Sequence, residues 1–388
     1  MKVSLFSSWQ VPCGIAEHAH HLVAALQALG EQVSVVPFDR RPHPRTDYVN
    51  WGRMMNAGDV AHIQHEYTFF GYLLPWRNYY HAFTSQIRKP LVITKHVSFD
   101  GPLILADRGY MRLVRQIKWS LYNRWLGPYA TYLNKGTFDI AQQIIVLNEA
   151  RKEQLIARGI RPEKISVIPP GVPDVLPAVG GEPLRAQWGW RDKCIIGVFG
   201  FITPAKGHTV ALDALARLPD EYTLLIAGGL RREADRDILD VIQQRIIQLD
   251  LSQRVRITGF LDEADIPAHI SACDILVYPY THADFSTSVV LGLAYQSAPV
   301  IASDVATHRE LAERCRAVAL FRSADPVDLA RTIQDIMYDE AHRLSLLRGA
   351  KQFAQENSWL VVARKTRDVY VRAMNAFSQG RCLVSDSV

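Results

Sequence analysis

Residues 194–207, CIIGVFGFITPAKG, decide the fold, because they join an apolar strand to a short loop and the start of a helix. The run 194–199 is almost wholly apolar, which is typical of a strand covered on both faces of a parallel sheet. Gly200 ends this strand, and Lys206 and Gly207 lead into a helical period at 208–217. Backbone amides and one ammonium group at such a turn favour a phosphorylated ligand. Neither GxxxxGK[ST] nor GxGxxG is present in the loop.

The alternation of strand and helix continues on both sides of this unit. Further apolar runs predict strands at 3–6, 33–36, 60–63, 91–94, 144–147, 166–168, 223–227, 255–257, 275–277, 300–302 and 317–320. Helical periods separate many of them, at 15–29, 233–248, 286–296, 326–338 and 341–356. Repeated strand–helix units require mostly parallel sheets. We therefore expect an α/β protein with two Rossmann-like domains that face each other across a cleft.

The segment 169–183, PPGVPDVLPAVGGEP, separates the two series of strands. It is rich in proline and glycine and has no period, which predicts a domain boundary. We expect one domain at 1–173 and a second at 174–358. A last helix is expected near 360–377, followed by a flexible tail at 379–388.

Composition narrows the class of protein. The 388 residues are 48% hydrophobic, which excludes a disordered chain. The net charge of +5 suits a polyanionic ligand, but no run of five like charges predicts a nucleic-acid tail. The five cysteines include no CxxC pair, which favours a reducing compartment over a disulfide framework or a zinc site. The N-terminus is typical of a first strand rather than a signal peptide, so we expect a cytoplasmic protein.

Candidate ligand contacts follow the strands of the first series, at the edge where open α/β sheets bind ligands. Gly14 would let backbone approach a ligand, and Glu17 suits the first turn of the helix. His96 can polarise an oxygen or act as an acid or base, although backbone partners could instead satisfy it. His65 and Glu66 suit a hydroxyl-rich ligand. A metal site that also uses His62 is disfavoured, because His62 and His65 point to opposite faces of a strand.

A second set of polar residues follows the strand at 275–277. Asp284 lies in the loop, and Ser286, Thr287 and Ser288 stand at the start of the next helix. A helix cap explains one hydroxyl but not three. Hydroxyls and amides at a helix start therefore predict a second part of the anion site.

Several motifs in order make the chain resemble the retaining nucleotide-sugar glycosyltransferases of family 4, also called glycosyl transferases group 1, whose fold is GT-B. The resemblance covers nearly the whole chain. Besides the loops at Gly14 and Lys206, the matching segments are KISVIPPGVPD at 164–174, RVRITGFLDEADIPAHISACDILVYP at 254–279 and APVIASD at 298–304. The segment 359–378 resembles the helix that crosses back and completes the N-terminal domain.

The resemblance implies that the N-terminal domain presents the acceptor and that the C-terminal domain holds the donor. His96 and Asp284 would be catalytic, beside the donor sugar. The donor-binding residues would be Gly14, Gly200, Lys206, Phe260, Ser286, Thr287, Ser288 and Glu310. The candidate acceptor contacts would be Glu17, His65 and Glu66.

The chain departs from the family pattern at two places. The family has two glutamates eight residues apart, where this chain has Asp284 and Gly292. The family often has an arginine where Phe201 stands. Lys206 is therefore left with fewer cationic partners, which could be supplied by Arg231, Arg232 or His208.

The function that the resemblance implies is transfer of a hexose from a nucleoside diphosphate sugar to an acceptor hydroxyl, with retention and without metal or cofactor. The product would belong to polysaccharide or glycolipid assembly. Two alternatives stay open: a non-catalytic partner subunit of the same fold, and a sugar-nucleotide epimerase.

Residues 103–133 mix basic and aromatic side chains, among them Arg124, Trp119 and Trp125. Such a helix can lie on an anionic membrane surface. This pattern predicts peripheral attachment to the cytoplasmic membrane face, where a lipid-linked saccharide would be within reach. The alternative is a helix whose apolar stripe packs on its own domain.

Overall fold

The computed structural model describes residues 1–11, 13–71, 74–96, 117, 120–121, 124–129, 131–172, 180–230, 236–281 and 287–385. The chain forms two compact units. Unit 1 contains Met1–Gly171 and Asn357–Val388, and unit 2 contains Val172–Glu356. The boundary expected between residues 173 and 174 lies outside the described residues.

Unit 1 is built on a parallel sheet of six strands with the order β2-β1-β3-β4-β5-β6. Its strands are β1 (Lys2–Ser8), β2 (Gln32–Phe38), β3 (Val60–His65), β4 (Leu91–Lys95), β5 (Gln143–Val146) and β6 (Ile165–Val167). Its first helices are α1 (Gly14–Ala28), α2 (Arg45–Met54), α3 (Tyr80–Thr84), α4 (Thr137–Asp139) and α5 (Glu149–Ala157). Short 3₁₀ turns lie at Met55–Ala57, Tyr67–Phe70, Pro75–Arg77 and Pro162–Lys164, and a π-helical turn lies at Tyr132–Gly136.

Unit 2 repeats this plan with the strand order β12-β11-β10-β7-β8-β9. Its strands are β7 (Cys194–Phe199), β8 (Tyr222–Ala227), β9 (Val255–Ile257), β10 (Ile275–Tyr278), β11 (Val300–Ser303) and β12 (Val318–Phe321). Its helices are α6 (Glu182–Trp188), α7 (His208–Leu215), α8 (Arg236–Gln248), α9 (Ile266–Ser271), α10 (Thr287–Tyr295), α11 (Ala306–Cys315), α12 (Pro326–Tyr338) and α13 (Glu340–Glu356). The 3₁₀ turn Pro204–Lys206 precedes α7.

The α/β fold with two Rossmann-like sheets is confirmed, and every strand pair in both sheets is parallel. Parallel sheets are covered on both faces, so their strands must be apolar throughout. Accordingly, β3, β4, β8 and β10 are buried along their whole length. In each sheet the strand order reverses at one point, between β1 and β3 in unit 1 and between β7 and β10 in unit 2. Open α/β sheets bind ligands beyond the carboxyl ends of the strands at this point.

The C-terminal helix α14 (Trp359–Ser385) belongs to unit 1. Its Val362, Val369 and Tyr370 share an apolar core with Leu22 and Val23 of α1. The helix continues to Ser385 and so extends into the segment 379–388, where we expected a flexible tail. No proline interrupts this segment, and its single glycine, Gly380, costs a helix about 1 kcal/mol without ending it.

Candidate active site

The loop after β7 is locked onto the segment that follows β10. The amide of Thr281 donates to the carbonyl oxygen of Ala205 at 2.9 Å. Gly207 has φ +67°, and a Cβ added there would lie 1.8 Å from the carbonyl oxygen of Pro279. Only glycine therefore fits this turn, which sets the course of the loop that carries Lys206.

We expect Gly207→Ala to destabilise unit 2 by more than the roughly 1–3 kcal/mol of a strained backbone alone, because the methyl group also meets Pro279. Gly189→Ala is the matched control, since Gly189 has φ +71° and no atom lies within 4 Å of its Cβ position. Urea unfolding of both variants measures the difference. Equal losses of unfolding free energy would show that the contact with Pro279 is unimportant.

Lys206 is held by Tyr280 and Ser288. Its Nζ donates to the Tyr280 hydroxyl and lies 4.0 Å from the centre of the Tyr280 ring. It also donates to Ser288 Oγ at 3.4 Å, in the first turn of α10. Tyr280 was not predicted from the sequence, although its place two residues after β10 was a usable signal. The structure thus brings Lys206 and Ser288 together, as expected, and adds Tyr280 as a second partner of Lys206.

Gly200 lies directly behind Lys206 and Ser288. It has φ +119°, and an added Cβ would lie 2.7 Å from Ser288 Oγ and 3.1 Å from Lys206 Nζ. A side chain at Gly200 would therefore displace both groups. We call Gly200, Lys206, Tyr280 and Ser288 the Lys206 site.

Buried polar groups hold the backbone of Tyr280 at the Lys206 site. The carbonyl oxygen of Tyr280 accepts a hydrogen bond from Ser303 Oγ at 2.5 Å. His308 on α11 is buried, and its Nδ1 donates to the carbonyl oxygen of Ser303 at 2.9 Å. Burial and the charge of Lys206 lower the pKa of His308 to about 4. Glu310 lies half-buried on the same helix.

Of the side chains expected to assist Lys206, His208 is the one that lies among the described residues. His208 is buried, and burial together with the charge of Lys206 lowers its pKa to about 4. A neutral imidazole adds no positive charge at neutral pH. Arg231 and Arg232 lie outside the described residues. His208 is therefore wrong as a substitute for the missing arginine.

Phe201 and Phe260 form an aromatic pair at the carboxyl edge of unit 2. Phe201 is 42% exposed and Phe260 is 71% exposed, with ring centres 6.3 Å apart. Gly259 beside them has φ +76°. Exposed aromatic rings at a ligand edge can stack on a flat apolar group.

Close packing explains why a glycine stands at position 292. A Cβ added there would lie 2.4 Å from the Tyr278 hydroxyl, because α10 approaches β10 closely at this point. Tyr278 therefore occupies the volume that a longer side chain at position 292 would need. Of the other predicted residues nearby, Thr287 opens α10, whereas Asp284 and Ser286 lie outside the described residues.

In unit 1, Gly14 opens α1 at the edge of the sheet where β1 ends. No atom lies within 4 Å of a Cβ built on Gly14, so packing does not require a glycine there. Glu17 is exposed in the first turn of the same helix. Both residues are thus accessible to a ligand.

His96 stands directly after β4, at the end of a chain of buried polar groups. Its Nε2 lies 2.6 Å from Gln64 Oε1, and Gln64 Nε2 lies 3.4 Å from His62 Nε2. His62 also contacts Thr94 Oγ1 and the Tyr370 hydroxyl, each at 2.7 Å. The contacts of Gln64 and Tyr370 with His62 were not predicted from the sequence.

The surroundings of His96 keep it neutral. Burial and the neighbouring His18, His62 and His65 lower the pKa of His96 well below its ordinary value. The His18 ring meets it edge to face at 5.0 Å. Burial likewise lowers the pKa of His18 to about 4 and the pKa of His62 to about 3.

His65 and Glu66 lie on the expected loop but differ in their surroundings. The His65 ring is buried among Tyr67, Phe70 and Phe138, with ring centres 4.8 to 5.6 Å away. This enclosure favours a packing role over contact with an acceptor. Glu66 accepts a hydrogen bond from the Thr68 amide at 3.1 Å and so caps the turn Tyr67–Phe70.

The described residues form neither a metal-binding cluster nor a helix that could cross a membrane. Among them, no group of three or more histidine, cysteine, aspartate or glutamate side chains could hold a metal ion. No helix in the described part of the chain combines the length and apolar character needed to cross a membrane.

Family models match both units of the chain. The model for Glycosyltransferase Family 4 matches residues 12–175, and the model for Glycosyl transferases group 1 matches residues 193–339. The second match contains β7, the loop with Lys206, and α10. The first contains α1, His62, Gln64 and His96.

Two curated relatives illustrate the range of similar enzymes. The 2-deoxystreptamine glucosyltransferase of Streptomyces kanamyceticus is 28% identical over 243 residues, which cover 60% of this chain and 61% of that protein. The matched region thus spans about three fifths of that relative's length. The glycogen synthase of Mycobacterium tuberculosis is 23% identical over 400 residues, with coverage of 95% and 94%.

Solved structures share the fold. The crystal structure of Anabaena HepE in complex with UDP-glucose has a TM-score of 0.71 at 21% identity, covering 95% of this chain and 98% of that one. A glycosyltransferase from Rickettsia africae has a TM-score of 0.72 at 16% identity, with coverage of 96% and 98%. The expected GT-B fold is therefore confirmed. The two family models together show that this chain belongs to the glycosyltransferases of family 4, with a group 1 glycosyl transferase domain in unit 2.

Proposed function

We propose that this chain is a retaining hexosyltransferase, which moves a hexose from a nucleoside diphosphate sugar to an acceptor hydroxyl. Unit 2 would bind the donor and unit 1 the acceptor, with domain limits near those expected at 173 and 358. The product would be a polysaccharide or a glycolipid. Support for a nucleotide-sugar donor comes from HepE, whose crystal structures contain UDP and UDP-glucose.

The observation that carries this proposal is the Lys206 site at the strand-order reversal of unit 2. The Lys206 ammonium group meets the Ser288 hydroxyl there, in the first turn of α10. Gly200 has no side chain and so leaves its backbone accessible beside them. Helix starts and lysine side chains are the usual partners of phosphate groups. The same groups can stabilise a diphosphate that gains charge as it leaves the sugar.

The remaining residues have proposed places around this centre. The diphosphate would lie against Lys206 and Ser288, assisted by Gly200, Ser286 and Thr287. Phe260 would lie near the base. Asp284 would contact the donor sugar, and His96 would lie beside the sugar at the reacting carbon. Gly14 would approach the donor from unit 1, and Glu17 and Glu66 would contact the acceptor.

We propose front-side attack, in which the acceptor oxygen forms its bond to the anomeric carbon on the face that the diphosphate leaves. The bond to the diphosphate oxygen breaks, and the proton of the acceptor hydroxyl moves to that oxygen. Retention follows because attack and departure share one face. A donor helped by Lys206 and helix amides needs no metal for this step.

A screen of donor hydrolysis and binding tests the function. The purified protein is titrated by calorimetry with nucleoside diphosphate sugars that differ in base and sugar, and products are followed by NMR. Binding with slow release of a sugar of unchanged anomeric configuration supports a retaining transferase. Absence of binding to every donor would favour a partner subunit, and release of an isomerised sugar would favour an epimerase.

A second part of the proposal concerns an exposed apolar stripe on unit 1. Ile117, Leu121 and Trp125 are each helical and are 51%, 50% and 77% exposed. A spacing of four residues is the one that puts side chains on the same face of a helix. Arg124 is exposed beside them. We propose that this face binds anionic lipid at the cytoplasmic membrane surface, near a lipid-linked acceptor.

We expect Trp125→Ser to weaken binding to vesicles that contain phosphatidylglycerol by about tenfold, because a buried indole ring is lost from the lipid interface. Trp76→Ser is the control, since Trp76 is 67% exposed elsewhere on unit 1. Flotation with and without anionic lipid measures both. If neither the wild type nor the control floats with anionic vesicles, this part of the proposal is wrong.

A further inference from the structure

The polar chain that ends at His96 crosses unit 1 from the C-terminal helix to the edge of the sheet. It runs from Tyr370 on α14 through His62 and Gln64 on β3 to His96 after β4. His62 and Gln64 are two residues apart and so lie on one face of β3. Tyr370, His62 and Gln64 are fully buried, whereas His96 is half-buried.

The atoms in contact fix which nitrogen of His96 carries the proton. A neutral imidazole has one donor and one acceptor nitrogen. The Gln64 atom nearest to His96 Nε2 is the carbonyl oxygen Oε1, which can only accept. The distance of 2.6 Å suits N–H···O and is short for a contact between two nitrogens. Nε2 of His96 must therefore carry the proton, which leaves Nδ1 with the lone pair.

The orientation of the Gln64 amide is fixed in turn by its other neighbour. With Oε1 turned to His96, Gln64 Nε2 faces His62 Nε2 at 3.4 Å. His62 Nε2 then accepts from Gln64 and from the Thr94 hydroxyl, and His62 Nδ1 donates to the Tyr370 oxygen. The contacts between Gln64, His62, Thr94 and Tyr370 each pair a donor with an acceptor in this arrangement. A reversed amide would place two nitrogens at the 2.6 Å contact.

We propose that Gln64 is a positioning residue, whose carbonyl oxygen holds His96 as the Nε2–H tautomer and keeps Nδ1 as an acceptor for a ligand hydroxyl. Among the described residues, the His96 ring has no other hydrogen bond than the one to Gln64. Within the described part of the chain, Nδ1 is therefore the ring nitrogen left for a hydroxyl-bearing ligand such as a hexose. The role of His96 in transfer rests on the proposed function, but the tautomer does not.

The described titratable groups that shift the pKa of His96 are all histidines. His18 on α1 meets the ring edge to face, and His62 and His65 lie on β3. Among the described residues, no carboxylate shifts the pKa of His96. A neutral amide is thus the partner that selects a tautomer without charging the ring.

The test uses Gln64→Met, which keeps the length of the side chain and removes both polar atoms. Long-range ¹H–¹⁵N NMR of the full-length protein reports which nitrogen of His96 is protonated. We expect a nearly pure Nε2–H form in the wild type and a mixture in Gln64→Met. Tyr48→Phe is the control, because it removes a buried hydroxyl of unit 1 that donates to the carbonyl oxygen of Phe69, outside this polar chain, and should leave the tautomer unchanged.

Activity provides the second readout. Gln64→Met should lower kcat about tenfold with little change in KM, which corresponds to one neutral hydrogen bond. In a His96→Ala background the same substitution should have no further effect, since Gln64 acts only through His96. Equal losses in both backgrounds, or an unchanged tautomer in Gln64→Met, would overturn the proposal.

Gln64→Glu keeps the test decisive if Gln64→Met does not fold. A carboxyl group in contact with Nε2 should raise the pKa of His96 in an NMR titration. An unchanged pKa would show that position 64 does not contact His96 and would overturn the proposal. If the tautomer responds but His96→Ala transfers sugar normally, the positioning stands and the proposed catalytic role of His96 fails.

Discussion

Lys206→Ala should lower kcat/KM for the preferred nucleotide sugar by about 10²–10³-fold, the usual cost of losing one donor aimed at developing charge. Among the described residues, Lys206 is the cation that the structure places beside Gly200 and Ser288. His208 and His308 nearby are neutral at neutral pH, because burial lowers the pKa of each to about 4. Neither can take over its charge.

The matched control is Lys193→Ala. Lys193 directly precedes β7, at the opposite edge of the same sheet, and its Nζ donates to the carbonyl oxygen of Asp220 at 3.0 Å. The control should keep near-normal kcat/KM. Steady-state rates with saturating acceptor measure both variants, and near-normal turnover of Lys206→Ala would contradict the proposed donor site.

Unit 1 should lose stability steeply as the pH falls below 6.5. Burial lowers the pKa of His18 to about 4 and the pKa values of His62 and His65 to about 3, whereas each titrates near 6.5 in an unfolded chain. Below that pH the unfolded chain binds more protons than the folded one, so the free energy of unfolding falls with pH. The pKa of His96 is lowered as well. For four such groups the loss from about pH 7.5 to about pH 5.5 is about 5 kcal/mol.

The variant His65→Phe isolates one of these groups. A phenyl ring fits among Tyr67, Phe70 and Phe138, and it has no site for a proton. We expect about a quarter of the pH dependence to disappear, while stability at neutral pH is kept. His20→Gln is the control, because His20 is exposed. Urea unfolding of unit 1 at about pH 7.5 and about pH 5.5 measures the pH dependence of each variant. An unchanged pH dependence in His65→Phe would contradict the account.

The fold was largely predictable because buried parallel strands form continuous apolar runs. All twelve strands lie where such runs occur, including the short β9 and β6. The helix α11 was missed, since it buries only His308 and Cys315 and shows no apolar period. Strand positions therefore follow from local composition, whereas polar helices at the edge do not.

The candidate site was predictable in part, for a related reason. Lys206 and Ser288 follow strands that end at the same edge, so their proximity follows from parallel topology. The partners that orient them come from elsewhere in the chain. Tyr370 lies 308 residues from His62, and no local pattern indicates such a contact.

The central claim is that the Lys206 site binds a diphosphate. Calorimetric titration with a nucleoside diphosphate and with the nucleoside of the same base, for wild type and Lys206→Ala, tests it most directly. The account predicts that the diphosphate binds the wild type far more tightly than the nucleoside does, and that Lys206→Ala removes most of this difference. Equal affinities of wild type and Lys206→Ala for the diphosphate would contradict it.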